Sequence, residues 1–419
     1  MKRKKYHQVI LEQKEERDHQ LQENLVIREL EDHINLHSNL AQIISGIRRS
    51  GKSTLACQVY RKQNFAYINF DDERLLDCSV EDLNLLLELL FQVYGDFSYL
   101  LLDEIQNVDG WSLFVNRLLR MKLHLIITGS NSKLLNVELA THLTGRFSSI
   151  ELFPFSFKEY LAYKQFSLSS QTTKEIGLLK GLYTEYSKSG GFPEVVRGEP
   201  LEEYITALFE AIVTRDILFR HNIRYIRTFR DIAIHLINNF ASELSFNRIK
   251  TVFGLGSENT AKTYVSYLEE AYLLLSLPKF SFKKQEQLRY RKIYAVDPAF
   301  ISIISTGFSE NSGKILENIV FLELRRRAIY GNYEIYYYKK QFEIDFVLYS
   351  KGHVIELIQV CENLMDKKTR NREIRSLVKA SSDLKSDNLK IITSDEDEII
   401  IENGLSIKVM PVIHWLIES

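Results

Sequence analysis

The sequence predicts an α/β protein whose first half is a parallel, doubly wound sheet. Two observations predict it. Five short apolar runs, at residues 40–45, 65–70, 99–102, 123–128 and 149–153, alternate with helical patterns at 52–63, 80–94, 111–121 and 131–142. Alternation of this kind builds a sheet covered by helices on both faces. The first run also ends in a glycine-bounded turn, Gly46–Ser53, that opens the first of these helices.

A chain of 419 residues is too long for one ordinary core and suggests two to four domains. Six prolines and 18 glycines argue against long disordered linkers. The net charge of -1 gives no global attraction to nucleic acid, so any basic surface is local. Cys57, Cys78 and Cys361 lie far apart and form no CxxC pair, which argues against a disulfide framework or structural zinc and fits a reducing cytoplasm. The basic N-terminus lacks an apolar segment behind it and does not read as a signal peptide. No apolar run is long enough to span a bilayer, so no membrane association is expected.

Taken in order, residues 1–38 read as polar helix. Gln8–Leu21 is almost entirely charged or amide, and a loosely attached arm is expected. The run at 40–45 then leads into Gly46, Ile47, Arg48, Arg49, Ser50, Gly51, Lys52, Ser53 and Thr54, which fit the GxxxxGK[ST] pattern between a strand and a helix. Glycines let the backbone bend so that successive N–H groups and the helix N-terminus face a phosphate. Lys52 is expected on the β- and γ-phosphates, and Ser53 on Mg²⁺.

About 50 residues later, Tyr99–Leu102 ends in Asp103 and Glu104. Consecutive leucines suit a strand buried on both faces. Asp103 is expected to hold the Mg²⁺ water shell, and Glu104 to orient and deprotonate an attacking water. The run at 123–128 ends in Thr128, Ser130 and Asn131. Ser130 or Asn131 could sense the γ-phosphate or hold the water. Both also suit a helix N-cap, and the two roles are compatible. Arg146, after Gly145, reads either as a loop arginine or as an arginine finger acting in cis or from a neighbouring subunit.

These segments together resemble the prokaryotic AAA-type ATPases that carry a C-terminal domain of unknown function. The resemblance rests on the P-loop with Arg48 and Arg49, Asp103–Gln106, Thr128–Asn131, Thr144–Arg146, Pro154–Phe157, Gly190–Glu194, Lys292–Asp297 and Gly313–Asn318. It implies a P-loop NTPase parallel sheet with a helical lid, a winged helix and a C-terminal α/β endonuclease-like domain. The expected boundaries are a helical arm at 1–38, the ATPase core at 39–155, the lid at 156–240, the winged helix at 241–285 and the endonuclease-like domain at 286–419.

In the winged-helix segment, Ala261, Val265, Leu268 and Tyr272 form a buried stripe, leaving Asn259, Lys262, Thr263 and Ser266 outward. Such residues suit a DNA groove, yet the set is weakly basic, and packing or a protein contact fits equally. In endonuclease-like folds a helix Glu, a strand Asp and a Glu-x-Lys converge on Mg²⁺. Here Glu317 and Asp345 fit the first two places, but the third falls on Gln359 and Cys361. No lysine stands at 361, and Glu356 has the opposite strand parity. A remnant site without metal is expected. The functional expectation is Mg²⁺-dependent ATP binding and hydrolysis driving a conformational switch, with DNA, a protein partner or further copies of the chain as candidate partners. The alternatives are an ATP-gated nucleic-acid effector and a nucleotide-dependent scaffold.

Overall fold

The computed structural model describes residues 2–418 apart from 24, 132–142, 144, 168–171 and 306–311, and leaves out the side chain of Leu288. The chain forms two compact units. The first is Met1–Pro154 with Glu270–Tyr272, and the second is Phe155–Glu269 with Leu273–Ser419.

In the first unit the apolar runs become strands β1 (Ala41–Ser45), β2 (Phe65–Asn69), β3 (Tyr99–Asp103), β4 (His124–Gly129) and β5 (Phe147–Glu151). They form one sheet in the order β2-β3-β4-β1-β5, every pair parallel. Parallel neighbours need crossovers, supplied by α2 (Lys52–Tyr60), α3 (Leu83–Tyr94) and α4 (Trp111–Arg120). β4 inserts between β1 and β3, so Gly129 aligns with Ser45 and Thr128 with Asp103. That order sets the C-terminal tips of all three strands side by side. The helix expected at 131–142 lies, past Asn131, outside the described residues.

The N-terminal segment departs from expectation. Helix α1 (Lys2–Gln20) ends well short of residue 38 and packs firmly. Tyr6, Val9, Ile10, Gln13 and Arg17 are buried at helical spacing. The last two hide the stripe in the sequence because they are polar. Gln13 exchanges two hydrogen bonds with the backbone of Asn69, at 2.9 and 3.0 Å. Arg17 donates to the Phe65 carbonyl at 2.6 Å and lies 4.6 Å over the Phe65 ring. Both partners sit on β2, the edge strand, whose free hydrogen-bonding groups α1 thereby covers.

The second unit opens with helices α5 (Phe157–Tyr163), α6 (Thr173–Ser189), α7 (Leu201–Ala211) and α8 (Ile226–Asn238). Ser156 and Thr172 start α5 and α6 with capping boxes to Glu159 and Glu175. A π-helical stretch, Ile212–Leu218, extends α7. Next come β6 (Ser242–Glu243), α9 (Phe246–Val252), α10 (Glu258–Glu270), β7 (Leu274–Pro278) and β8 (Arg291–Ala295). The three strands form a sheet in the order β6-β8-β7. This sheet extends to Ala295, so residue 285 lies inside its β7–β8 hairpin. Helix α11 (Pro298–Ile304) packs on α6, α7 and α8 and so joins the helical region from beyond that hairpin.

The glycine pair after α6 is explained by this return. Gly190 has φ +69° and a Cβ there would overlap Asp297 Oδ1, while one on Gly191 would meet the Phe155 carbonyl at 2.2 Å. Asp297 accepts from the N–H groups of Gly191 and Ala299, both at 2.9 Å, and caps α11.

The C-terminal region holds α12 (Ser312–Gly331), β9 (Glu334–Lys339), β10 (Glu343–Ser350), β11 (His353–Val360), α13 (Lys367–Leu384), β12 (Leu389–Thr393), β13 (Glu398–Glu402), β14 (Leu405–Pro411) and α14 (Val412–Ile417). Its mixed sheet runs β13-β14-β12-β11-β10-β9. Among the described residues no helix is long and apolar enough to cross a membrane, and all three cysteines are free and buried.

Candidate functional site

Gly46 turns the chain out of β1. A side chain there would collide with the Leu152 carbonyl, 2.1 Å from an ideal Cβ. Arg49 and Gly51 both take positive φ, 66° and 91°, and wrap the loop onto the N-terminus of α2. Lys52 is buried and donates to the Ile47 carbonyl across the loop at 3.0 Å. The Ser50 hydroxyl is buried with no hydrogen-bond partner among the described residues. A closed loop of backbone donors, a buried ammonium, an orphan hydroxyl and a helix N-terminus suit an oligophosphate.

Asp103 and Glu104 reach this loop from β3. Lys52 Nζ is 3.9 Å from Glu104. Asp103 is buried, accepts from Tyr67 at 3.1 Å and from the hydroxyl of Thr128, and is hydrogen-bonded to Ser53. Burial and the neighbouring Glu104 lift its pKa above the usual carboxylate range, against the pull of Ser53 and Thr128. A hydroxyl and a buried carboxylate in contact are a donor set suited to a hard divalent cation with bound water. Glu104 takes a left-handed φ of 53°, which turns its side chain off the strand axis. The N–H and hydroxyl of Ser130 donate to Glu104 Oε2 at 3.2 and 3.1 Å, and Gln106 donates to the same oxygen. Ser130 thus positions Glu104, and Asn131 is buried beside it in sequence.

Arg146 does not join them. It is exposed, its carbonyl accepts from the Ala41 N–H at 3.0 Å, and the next residue pairs with Ala41 at the start of β1. The P-loop leaves the other end of β1, about 16 Å away at the rise of a strand. An arginine finger in cis is therefore excluded by the register of β5.

Two supports of the loop had no signal in the sequence. Buried Arg28 donates to the carbonyls of Ser50 and Phe153 at 2.9 and 2.8 Å. Tyr272, at φ 58°, donates to the Ser45 hydroxyl at 2.8 Å, one residue before the P-loop. Arg28 stands outside every motif, and Tyr272, expected in the helical stripe with Ala261, Val265 and Leu268, lies past the end of α10 and bonds to β1 instead.

In the second unit, Glu317, Asp345 and Gln359 do meet. Asp345 N–H donates to Gln359 Oε1 at 2.8 Å, and Val360 N–H donates to Asp345 Oδ2 at 3.0 Å. Glu356 faces away, paired with Lys390 at 2.6 Å. A cation does reach this cluster, contributed by β8 and not by the strand of Gln359. Lys292 Nζ lies 3.0 Å from Glu317, 2.8 Å from Glu343 and 3.3 Å from Asp345. Tyr294, on the same strand face, donates to Glu317 at 2.7 Å. Burial opposes the charge on Lys292, yet Tyr294 and the three carboxylates outweigh it and hold its pKa well above the usual range. Burial, with Glu317 beside it, pushes Asp345 up to about 7 despite Lys292. Lys367 and Lys368, the nearest lysines after β11 in the chain, are exposed at the start of α13. Among the described residues no group of three His, Cys, Asp or Glu is arranged to hold a metal ion.

Three family descriptions match the chain in succession: an AAA domain over residues 38–161, a domain of unknown function (DUF8612) over 180–311 and a domain of unknown function (DUF4143) over 312–414. The uncharacterized protein MJ1544 of Methanocaldococcus jannaschii is 39% identical over 383 residues, covering 87% of this chain and 84% of its own. An uncharacterized Haemophilus influenzae protein is 33% identical over 314 residues, covering 70% and 76%. Among solved structures, the replication initiator DnaA bound to AMPPCP and single-stranded DNA is similar at 18% identity and a TM-score of 0.27, over 59% of this chain and 90% of that one. A Pyrococcus horikoshii STAND ATPase with a tetratricopeptide repeat sensor is similar at 14% identity and a TM-score of 0.27, over 72% and 45%. The chain, an AAA-domain protein ending in a DUF4143 domain, thus belongs to one family with the Methanocaldococcus jannaschii and Haemophilus influenzae proteins.

Proposed function

We propose that the protein binds Mg-ATP at the P-loop and hydrolyses it as a conformational switch. The observation that carries this reading is the convergence of Lys52, Ser53, Asp103 and Glu104 at the tips of β1 and β3, on either side of β4. Lys52 and the loop N–H groups bind and orient the phosphates. Ser53 and Asp103 are placed to hold Mg²⁺, which when bound neutralises charge developing on the transferred phosphoryl group. Glu104, held by Ser130 and Gln106, orients the attacking water and takes its proton. Asn131 is the further candidate for holding that water.

The switch reading draws on Tyr272. It belongs to the first unit and touches the residue before the P-loop, yet it directly follows α10 in the chain. A shift of β1 on nucleotide binding would be felt at the end of α10. Arg146, excluded in cis, serves as a finger only toward a neighbouring copy, which makes oligomerisation part of this reading. The test is a mixture of Lys52→Ala and Arg146→Ala proteins. Turnover in the mixture, absent from both alone, supports a shared site. A mixture as inactive as its parts removes the finger.

The Glu317, Asp345 and Gln359 cluster is read as a remnant of an endonuclease-like site, because the Lys292 ammonium fills the place a metal ion would take. Divalent-ion-dependent cleavage of DNA, lost in Asp345→Ala, would overturn that reading.

A further inference from the structure

The hairpin between β7 and β8 concentrates charge that the chain as a whole lacks. Residues 279–292 hold Lys279, Lys283, Lys284, Arg289, Arg291 and Lys292 against Glu286 alone, in a chain of net charge -1. Lys292 is buried in the carboxylate cluster, and Arg291 pairs with Glu269 at 3.3 Å. Glu286 is shared between Lys283 and Lys279 at 3.9 and 4.0 Å. Lys284 and Arg289 have no ion-pair partner among the described residues, and both are exposed.

Aromatic rings are interleaved with these cations. Phe282 is 87% exposed, an unusual state for a ring with nothing apolar to gain from water. Tyr290 is 39% exposed, with Lys279 and Arg289 at 5.2 and 5.4 Å from its ring. Phe282, Lys283 and Lys284 stand at the side of an open groove of about 970 Å³, one wall of which is Gln285, Arg289, Tyr290 and Arg291 and the other of which includes Phe246, Lys262 and Ser266 of α9 and α10. Acids lining it are largely spent: Glu243 pairs with Lys339 at 2.9 Å and Glu269 with Arg291, leaving Glu258 at the α10 end.

We infer that this hairpin and groove bind a single-stranded nucleic acid, with Lys283, Lys284 and Arg289 on its phosphates and Phe282 stacked on a base. Alternating cations and exposed rings beside a concave channel are what a flexible polyanion with flat bases requires. A duplex would leave Phe282 without a base face, and an anionic membrane is flat where this surface is concave. The inference stands on the second unit alone and does not rest on ATP hydrolysis.

The test is fluorescence anisotropy of the full chain, without nucleotide, with labelled thymidylate and uridylate strands of about 16 nucleotides. A duplex of equal length and phosphatidylserine vesicles serve as competitors. Binding of the single strand is expected to fall steeply from about 50 to about 200 mM salt. Phe282→Ala is expected to weaken it about 5- to 150-fold, the ratio for loss of one stacked base. The triple change Lys283→Ser, Lys284→Ser, Arg289→Ser is expected to reduce the log-log salt slope by about 2. Lys367→Ser with Lys368→Ser, exposed elsewhere, should leave both readings unchanged. Tighter binding of the thymidylate or of the uridylate strand identifies DNA or RNA, and either supports the proposal. Preference for the duplex or the vesicle overturns it, as does wild-type affinity in Phe282→Ala or equal weakening by the control pair.

Discussion

Removing the Lys292 ammonium should destabilise the second unit by about 3–5 kcal/mol. Lys292→Met keeps the stem and deletes the charge. Its three partners lie within 3.3 Å of Nζ, so their oxygens are at most about 6 Å apart. Carboxylates at that distance repel by about 2–3 kcal/mol per pair at an effective dielectric near 20. Breaking a buried ion pair by removing one partner costs about 3–5 kcal/mol, and here one ammonium serves three. Part of the penalty is relieved by protonation, because Asp345, already pushed up to about 7, rises further without its counter-ion. A carboxyl raised in the folded state contributes stability that is full below its unfolded pKa, near 4, and lost as pH rises through the folded value. The variant is therefore expected to lose about 3–5 kcal/mol at pH 8 and less at pH 5.5. Urea unfolding followed by Trp415 fluorescence in a Trp111→Phe background reads the second unit selectively, since these are the two tryptophans. Adding Glu317→Gln and Asp345→Asn to Lys292→Met should recover stability. A loss below about 1 kcal/mol, or one equal at both pH values, would refute the argument.

Unfolding measurements check four further substitutions. Gly191→Ala places a Cβ 2.2 Å from the Phe155 carbonyl and should destabilise by at least about 1–3 kcal/mol. Gly181→Ala, within α6 with open space around it, should instead gain about 1 kcal/mol. Burial pushes Asp297 up to about 6 despite the N–H groups of Gly191 and Ala299. Its contribution is present below about pH 4 and lost as pH rises through 6, so Asp297→Asn should flatten the stability slope between those values. Tyr272→Phe, losing its bond to Ser45, should cost the first unit about 0.5–1.5 kcal/mol by Trp111 fluorescence.

The first sheet was legible because its strands are buried on both faces, and the groups proposed to act on nucleotide sit at strand ends, fixed by chain order. Lys52, Ser53, Asp103 and Glu104 are read from the GxxxxGK[ST] pattern and from a buried strand that ends in two acids about 50 residues later. Arg146 shows where that logic stops. Its distance from the loop depends on which end of β5 pairs with which end of β1, and composition says nothing of register. The packing of α1 was hidden because Gln13 and Arg17 use polar groups to cover the β2 edge, so the apolar stripe of Tyr6, Val9 and Ile10 stops after one turn. Lys292 was hidden for a different reason. The cation was sought on the strands next to Gln359, while the fold delivers it from β8, before α12 in the chain. A lysine two residues from Tyr294 in the strand Arg291–Ala295 was the available signal, since alternation puts both on one face.

The most direct test of the account is steady-state ATP turnover with parallel measurement of ATP binding, for the wild type, Lys52→Ala and Glu104→Gln. Lys52→Ala should lose binding and turnover together. Glu104→Gln should still bind Mg-ATP but hydrolyse it at least about 100-fold more slowly, the contribution of a positioned general base. Undiminished turnover in either variant would contradict the assignment of this loop and strand tip as an ATP-hydrolysing site.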